Sequence, residues 1–295
     1  MPKVFAVQNP VAGTQSAEVV SRKLQGFFNR VGWQHHIYQT QQGDDVTAVS
    51  RSAAKEGYDL FVAAGGDGTI SAVATGISED QIPLGIVPVG TGNGLARDLR
   101  IPLSLDKALE VIYNRPAIKI LDAIQVGERY QLLNLSVGLT PKAMENTDRN
   151  EKKQIGRLAY FLAGIRILGG VQPNTYYLEI DGAKHKVQAS EVLLLNSMNL
   201  GDTGRMLQLD IHNDDGRLDL FVIESKTSID YLRAAMNVLL RRENEEPDVQ
   251  RFEVRNGVKI RGNRRLLVQA DGDIIGYTPV SARLVEKVVR VITPE

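Results

Sequence analysis

Three short segments of the sequence combine glycine with acidic, amide or hydroxyl side chains. They are Asn9–Gly13 (NPVAG), Gly65–Thr69 (GGDGT) and Pro88–Asn93 (PVGTGN), and Arg97 follows the last of them by one helical turn. Glycines let the backbone turn sharply and approach a ligand without a Cβ in the way. A helix that begins directly after such a turn points its free N–H groups at an anion. The three segments therefore predict a site for phosphate groups.

Asp67 is the acidic residue within these segments, and a carboxylate repels phosphate. Its presence is explained if Mg²⁺ or a proton in transit lies between the carboxylate and the phosphate. The alternative is a strand-to-helix loop whose glycines only satisfy the backbone geometry. No Walker-type G-x-x-x-x-G-K-[ST] segment occurs in the chain, which excludes a P-loop enzyme.

Strands and helices that position these segments alternate over residues 1–120. Strands are predicted at Val4–Gln8, Trp33–Gln39, Leu60–Ala64 and Leu84–Val87. Helices are predicted near Ser16–Arg30, Asp44–Lys55, Ile70–Gly76 and Ser104–Tyr113. The first helix has an apolar stripe of Val19, Val20, Leu24, Phe27 and Phe28. This alternation is typical of an α/β domain with a parallel sheet, whose ligands bind outside the carboxyl ends of the strands. We therefore expect all three glycine segments at one edge of the sheet.

The hydrophobic pattern changes to a period of two beyond Pro116. Alternating runs lie at Tyr176–Ile180, Leu207–Ile211 and Val288–Ile292. The turn pairs that separate such runs are Asp181-Gly182, Asp215-Gly216 and Asn256-Gly257. We predict a β-rich, sandwich-like second domain over residues 121–281, with helices at Ile155–Leu168 and Ser228–Arg241. The last strand, residues 282–295, is expected to return to the first domain.

The overall composition limits the class of protein. Lys plus Arg and Asp plus Glu both number 35, so there is no basic excess to indicate nucleic acid as a partner. The chain has no cysteine, which excludes disulfides, thiolate zinc sites and cysteine nucleophiles and fits a reducing compartment. It begins without a signal-peptide pattern and has no run of 18 apolar residues, so we expect a cytoplasmic protein without a transmembrane helix.

Together, the three glycine segments resemble the diacylglycerol kinase catalytic-domain family, which includes the sphingosine kinases and bacterial soluble lipid kinases. Asn9–Gly13 resembles the family's N-P-x-[AS]-G, Gly65–Thr69 its G-G-D-G-T, and Pro88–Arg97 its P-x-G-T-G-N-D-x-A-R, although Gly94 replaces the Asp of many members. The resemblance implies an α/β nucleotide-binding domain, a β-rich second domain and ATP in the cleft between them. It assigns contacts with ATP to Asn9, Thr40, Gly65, Gly66, Asp67, Gly68, Thr69, Ile70, Ser71 and Thr91.

The resemblance also assigns roles to acidic residues of the second domain. The family's D-G-x-L-D segment is similar to a structural Mg²⁺ site, and here it would use the Asp215 carboxylate and the main-chain carbonyls of His212 and Arg217. An ordinary hairpin turn is the alternative. Asp273 replaces the usual Glu of a D-G-E segment and is expected to accept the proton of the substrate hydroxyl. The shorter side chain changes the reach of the carboxylate by roughly an ångström, so Asp67 is expected to share or assume this role.

The implied reaction is transfer of the γ-phosphoryl group of ATP to a lipid hydroxyl with Mg²⁺ as cofactor, and diacylglycerol is the first expected acceptor. A lipid acceptor implies peripheral contact with a membrane from the cytoplasm, and a dimer is compatible with the sequence. Phosphatidylglycerol, a sphingoid base and NAD are alternative acceptors. A non-catalytic nucleotide- or lipid-binding relative is the remaining alternative. The basic run Arg149–Arg157 is either a membrane contact or, more simply, a solvated loop before a core helix.

Overall fold

The computed structural model of the protein describes residues 1–145, 173–197, 211–225, 230 and 249–294. The chain forms two compact units. The first unit contains Met1–Leu121, Glu128–Tyr130 and Lys287–Glu295, and the second contains Asp122–Gly127 and Gln131–Glu286. Four predicted features lie wholly or mostly outside the described residues, namely the helices Ile155–Leu168 and Ser228–Arg241, the basic run Arg149–Arg157 and the strand Leu207–Ile211.

The first unit is built on a parallel sheet, which confirms the predicted fold class of this half. Its strands are β1 (Lys3–Gln8), β2 (Gln34–Gln39), β3 (Leu60–Gly65) and β4 (Leu84–Pro88). They are hydrogen-bonded in the order β2-β1-β3-β4, and the end of β16 (Val280–Thr293) joins β4 with Val291 opposite Leu84. All residues of β3 and β4 are buried, as expected for central strands that are covered on both faces.

The helices of the first unit are α1 (Ala17–Arg30), α2 (Val46–Ala54), α3 (Asp67–Ile77), α4 (Gly94–Asp98) and α5 (Leu105–Asn114). Ser16 caps α1, since its Oγ accepts a hydrogen bond from Val19 N at 3.4 Å. The predicted stripe of α1 is buried except for Val19, which lies at its margin and is exposed. Helix α3 begins at Asp67, earlier than predicted, because Gly66 takes the N-cap position with an extended backbone.

Two antiparallel sheets form the second unit, which confirms the predicted β-rich, sandwich-like architecture. In one sheet, β13 (Gly257–Gly262) pairs with β8 (Asn174–Ile180) and with the start of β16, and β8 pairs with β9 (Ala183–Ala189). The other sheet has the order β12 (Val249–Val254), β11 (Leu218–Ile223), β10 (Glu191–Leu195), β7 (Asn134–Gly138), β14 (Leu267–Ala270) and β15 (Asp273–Tyr277). Buried side chains from both sheets share one core that includes Leu178, Ile260, Val137, Leu220 and Val268.

The remaining described elements are two further strands and one short helix. They are β5 (Ala117–Val126), β6 (Arg129–Gln131) and α6 (Leu139–Glu145). Strand β5 pairs with β16 and with β6. The predicted turn between β8 and β9 is confirmed, since Asp181 and Gly182 have φ of 47° and 90°. No helix among the described residues is long and apolar enough to cross a membrane.

Candidate functional site

The three glycine segments lie together where β1, β3 and β4 end in the first unit. The Asn9 backbone N–H donates to Ala64 O at 2.9 Å, and Asn9 Nδ2 donates to Thr69 Oγ1 at 3.2 Å. The Gly90 backbone N–H donates to Gly65 O at 3.3 Å. Hydrogen bonds therefore join the second segment to the first and to the third, and they fix the three loops as one surface.

Close packing between the loops explains why glycine is required at two positions. A Cβ on Gly90 would lie 2.5 Å from the Cα of Gly66. A Cβ on Gly13, whose φ is +66°, would lie 1.8 Å from Val89 O. Carbon atoms do not approach backbone atoms this closely, so a larger residue at either position forces the loops apart.

Asp67 is the first residue of α3, and its side chain is buried, with 6% exposed. Its Oδ1 accepts a hydrogen bond at 3.0 Å from the backbone N–H of Leu95, the second residue of α4. A carboxylate in the first turn of a helix also interacts favourably with the helix dipole. Asp67 therefore ties the second glycine segment to the helix that follows the third.

Asn93 was part of a predicted segment, but it was not assigned a contact with the nucleotide. It occupies the N-cap of α4 with a left-handed backbone (φ 50°), and its Nδ2 donates to Gly90 O at 2.8 Å. Its Oδ1 is buried and has no hydrogen-bond partner among the described residues. Amide and carboxylate oxygens are ligands that Mg²⁺ prefers, so Asn93 and Asp67 fit a magnesium ion chemically.

The other residues that are predicted to contact ATP differ in their position and in their exposure to solvent. The Thr40 backbone N–H donates to Gln8 O at 2.9 Å, which places Thr40 at the same sheet edge. Thr91 is exposed, whereas Ile70 and Ser71 are buried in α3. The Ile70 N–H already donates to Gly66 O at 3.1 Å. The contacts of Ile70 and Ser71 with ATP stay predictions.

In the second unit, Asp271 and Asp273 have different environments. Asp271 is buried, and its carboxylate accepts hydrogen bonds at 2.7, 2.9 and 3.0 Å from the backbone N–H groups of Leu132, Leu133 and Asn134. Asp273 begins β15 opposite Ala270 and is exposed. Asp271 therefore anchors the hairpin, and Asp273 is the carboxylate of the two that is exposed to solvent.

The segment that was predicted to hold a structural Mg²⁺ is a turn with its own ion pair. The Asp215 carboxylate accepts from Arg217 N at 3.3 Å and from Arg217 Nε at 2.8 Å, and His212 is exposed. Buried Asp122 of β5 accepts from Gly216 N at 2.8 Å and so holds the turn. The described residues contain no group of three His, Asp or Glu side chains arranged for a metal. A carboxylate engaged by a guanidinium fits a cation poorly, and the metal assignment stays a prediction.

Glu191 at the start of β10 was not singled out from the sequence. It is fully buried, and its Oε2 accepts from Thr140 N at 2.9 Å. Burial raises the pKa of the Glu191 carboxyl to about 7, although hydrogen bonds to Thr140 oppose the shift. Tyr176 is also buried, and its hydroxyl donates to Val137 O at 3.2 Å. The sequence does carry a signal for Glu191, since this acidic residue directly precedes the apolar run Val192–Leu195.

Comparisons with known proteins agree with this geometry. Residues 3–126 match the diacylglycerol kinase catalytic domain, and residues 134–293 match the YegS C-terminal NAD kinase beta sandwich-like domain. A protein named diacylglycerol kinase from Staphylococcus aureus is 30% identical over 98% of this chain and 91% of its own length. Another of that name from Bacillus subtilis is 27% identical over 100% of this chain and 97% of its own length.

A solved structure extends the likeness to three dimensions. The crystal structure of a diacylglycerol kinase from Bacillus anthracis superposes with a TM-score of 0.78 and 25% sequence identity, and the match covers 99% of this chain and 97% of that one. Both halves of the chain and its full-length relatives thus point to one family. The chain belongs to the diacylglycerol kinase family, whose members are ATP-dependent phosphotransferases with an alcohol group as acceptor.

Proposed function

We propose that the protein transfers the γ-phosphoryl group of ATP to the hydroxyl of diacylglycerol. The observation that carries the proposal is the joining of three glycine segments at one edge of a parallel sheet, next to the N-termini of α3 and α4. Backbone N–H groups at such an edge suit a polyphosphate. Diacylglycerol is favoured as the acceptor because several curated relatives that align over nearly the whole chain are named for it.

The residues of the first unit would bind and orient ATP. Asn9 and Thr69 are hydrogen-bonded to each other, so each holds the other's polar group in place at the loop surface. Asp67 and the unpartnered Oδ1 of Asn93 would hold Mg²⁺, which supplies charge neutralisation on the β- and γ-phosphates when it is bound. The remaining contacts assigned to ATP are those of Thr40, Gly65, Gly66, Gly68, Ile70, Ser71 and Thr91.

The proton of the acceptor needs a base. The lipid hydroxyl oxygen forms a bond to the γ-phosphorus, the bond from that phosphorus to the β,γ-bridging oxygen breaks, and ADP leaves. The hydroxyl proton moves to a carboxylate, for which we propose Asp273, with Asp67 sharing the role. Exposure of Asp273 supports this assignment, because an acceptor hydroxyl can approach it without displacing packed side chains.

One experiment tests the acceptor directly. The purified protein is incubated with Mg²⁺, ATP labelled at the γ-phosphate and mixed micelles that contain diacylglycerol, phosphatidylglycerol or sphingosine, and NAD is supplied separately. NAD is included because the second half of the chain matches a domain description that names NAD kinase. We expect label in phosphatidic acid. Label in another lipid would change the acceptor, and label in NAD or in no product would overturn the proposal.

A lipid acceptor also sets where the protein must act. The described residues include no helix that spans a membrane, so we propose that the protein reaches its substrate by peripheral contact from the cytoplasm. A soluble acceptor such as NAD would need no such contact. Membrane binding is therefore a second property that separates the lipid and nucleotide acceptors.

A further inference from the structure

The edge strand β15 carries three exposed apolar side chains. Ile274, Ile275 and Tyr277 are 41%, 36% and 49% exposed. In the described part of its sheet, β15 is the last strand and pairs with β14. Single exposed apolar residues are ordinary on a protein surface, but three within four consecutive residues of one edge strand form a patch.

A β-bulge shapes this edge. Val268 of β14 lies opposite Gly276, and the next residue, Gln269, lies opposite Ile274, so Ile275 is an extra residue on β15. A bulge changes the alternation of side chains, which accounts for the exposure of two consecutive isoleucines. It also interrupts the regular ladder that a strand from another protein chain would need, and so disfavours edge-to-edge pairing.

Basic side chains border the patch. Arg264 and Arg265 are exposed and precede β14, and the Arg265 guanidinium lies 4.8 Å from the centroid of the Tyr277 ring. No acidic residue occurs between Gly257 and Ala270, and the two arginines outnumber the exposed carboxylate of Asp273, which directly precedes Ile274. Isoleucine and tyrosine enter the headgroup region of a bilayer, and arginine beside them interacts with lipid phosphates. The combination complements an anionic lipid surface in both polarity and charge.

We propose that the β15 face, defined as Ile274, Ile275, Tyr277, Arg264 and Arg265, docks on the surface of an anionic phospholipid bilayer. The inference rests on the proposed lipid kinase function, since Asp273 begins the same strand. Docking by this face brings the Asp273 carboxylate to the headgroup level, where the free hydroxyl of a diacylglycerol lies. The face would therefore deliver the acceptor to the base that we assign.

Vesicle binding without nucleotide tests the docking separately from catalysis. Wild-type protein is sedimented with vesicles of phosphatidylcholine alone and of phosphatidylcholine mixed with phosphatidylglycerol. We expect stronger binding to the mixed vesicles, and weaker binding at high salt because salt screens the arginines. Each basic residue near an anionic surface changes partitioning by about fivefold, so the double variant R264Q/R265Q should bind about 25-fold more weakly.

The apolar part of the face has a matched control. The double variant I274S/I275S should lose most of its vesicle binding, at least about tenfold, because the isoleucines can no longer enter the headgroup region. Ile118 and Ile120 on β5 are 39% and 38% exposed, so I118S/I120S removes two isoleucines of similar exposure elsewhere. This control should bind as the wild type does. All variants should keep the thermal unfolding midpoint of the wild type, so that a loss of binding reports the face and not the fold.

Several outcomes would overturn the proposal. These are wild-type protein that binds no vesicles, β15 variants that bind like the wild type, and equal loss of binding in I118S/I120S. A dimer that I274S/I275S abolishes while vesicle binding persists would instead assign the face to a second copy of the chain. If the binding pattern holds but no lipid is phosphorylated, the proposed function fails and the docking face stands.

Discussion

Asp67 and Asp273 are the two carboxylates that we assign to the transfer reaction, and the chain holds them in different ways. Asp67 is buried at the start of α3 and accepts a hydrogen bond from Leu95 N. Asp273 is exposed on an edge strand, and buried Asp271 two residues earlier anchors the hairpin. The carboxylate that we assign to the nucleotide is therefore held in a fixed position, whereas the carboxylate that we assign to the acceptor is open to solvent. Substitutions of each carboxylate test this difference.

The largest effect is expected for Asp67→Asn. Asparagine can still accept the hydrogen bond from Leu95 N, so the loops keep their positions, but the charge that would hold Mg²⁺ is lost. Turnover should fall by about a thousandfold, as is typical when a charged group that stabilises the transition state is removed. Turnover and the midpoint of thermal unfolding are measured together. Asp106→Asn, which changes an exposed carboxylate paired with Lys23, is the control and should leave turnover unchanged. Turnover of Asp67→Asn within tenfold of the wild type would contradict the assignment.

Glu191 extends the comparison to a buried carboxylate outside the assigned reaction. The pKa of about 7 in the folded chain lies above the ordinary value of 4.5 for a glutamate, so between these pH values the unfolded chain releases a proton that the folded chain keeps. The free energy of unfolding should therefore fall as the pH rises through this window, by about 3 kcal/mol in total, and then level off. Burial also raises the pKa of neighbouring Tyr176, so its phenol stays neutral throughout.

Glu191→Gln should remove this dependence. Its amide oxygen can still accept from Thr140 N, but it does not titrate. Urea unfolding of both proteins at pH 5 and pH 8 measures the effect, and the difference between the two proteins cancels groups that titrate in both. Stability of the variant relative to the wild type should be greater at pH 8 than at pH 5. The same pH dependence in both proteins would show that the buried carboxyl does not titrate in this range.

Two substitutions of Asp273 separate the effect of its charge on turnover from the effect of its side-chain length. Asp273→Asn should lower turnover by about a hundredfold, since a positioned general base contributes at least that much. Asp273→Glu restores the residue usual in the family and should stay within about tenfold of the wild type, because the exposed edge tolerates one more methylene. Neither change should alter the KM for ATP, which distinguishes Asp273 from the nucleotide site. Unchanged turnover of Asp273→Asn would indicate that Asp67, and not Asp273, accepts the proton.

The sequence predicted the elements of the first unit better than the contacts within the second unit, for a physical reason. The four strands of the parallel sheet and the glycine segments are marked by local patterns, and each predicted strand ends within one residue of the observed one. The anchoring role of Asp271 depends on the backbone of residues that lie as far as 139 positions away in the chain. Likewise, Asp122 holds Gly216 across 94 positions. Contacts between residues so far apart in the chain leave no periodic pattern in the sequence. The acidic residues of the second unit could therefore be identified from the sequence, but their hydrogen-bond partners could not.

Gly90→Ala gives the smallest effect and tests whether the loop surface, rather than any side chain, positions ATP. The added Cβ would lie 2.5 Å from the Cα of Gly66, so the third segment must move away from the second. The KM for ATP should rise by about tenfold, while vesicle binding by the β15 face stays unchanged. Gly26→Ala in α1 is the matched control, because a Cβ there meets no atom within 4 Å and alanine favours the helix. An unchanged KM for Gly90→Ala would show that the close approach of the loops is not needed for the nucleotide. The expected rise in KM would indicate that the phosphate groups bind against the backbone of the closely packed glycine loops.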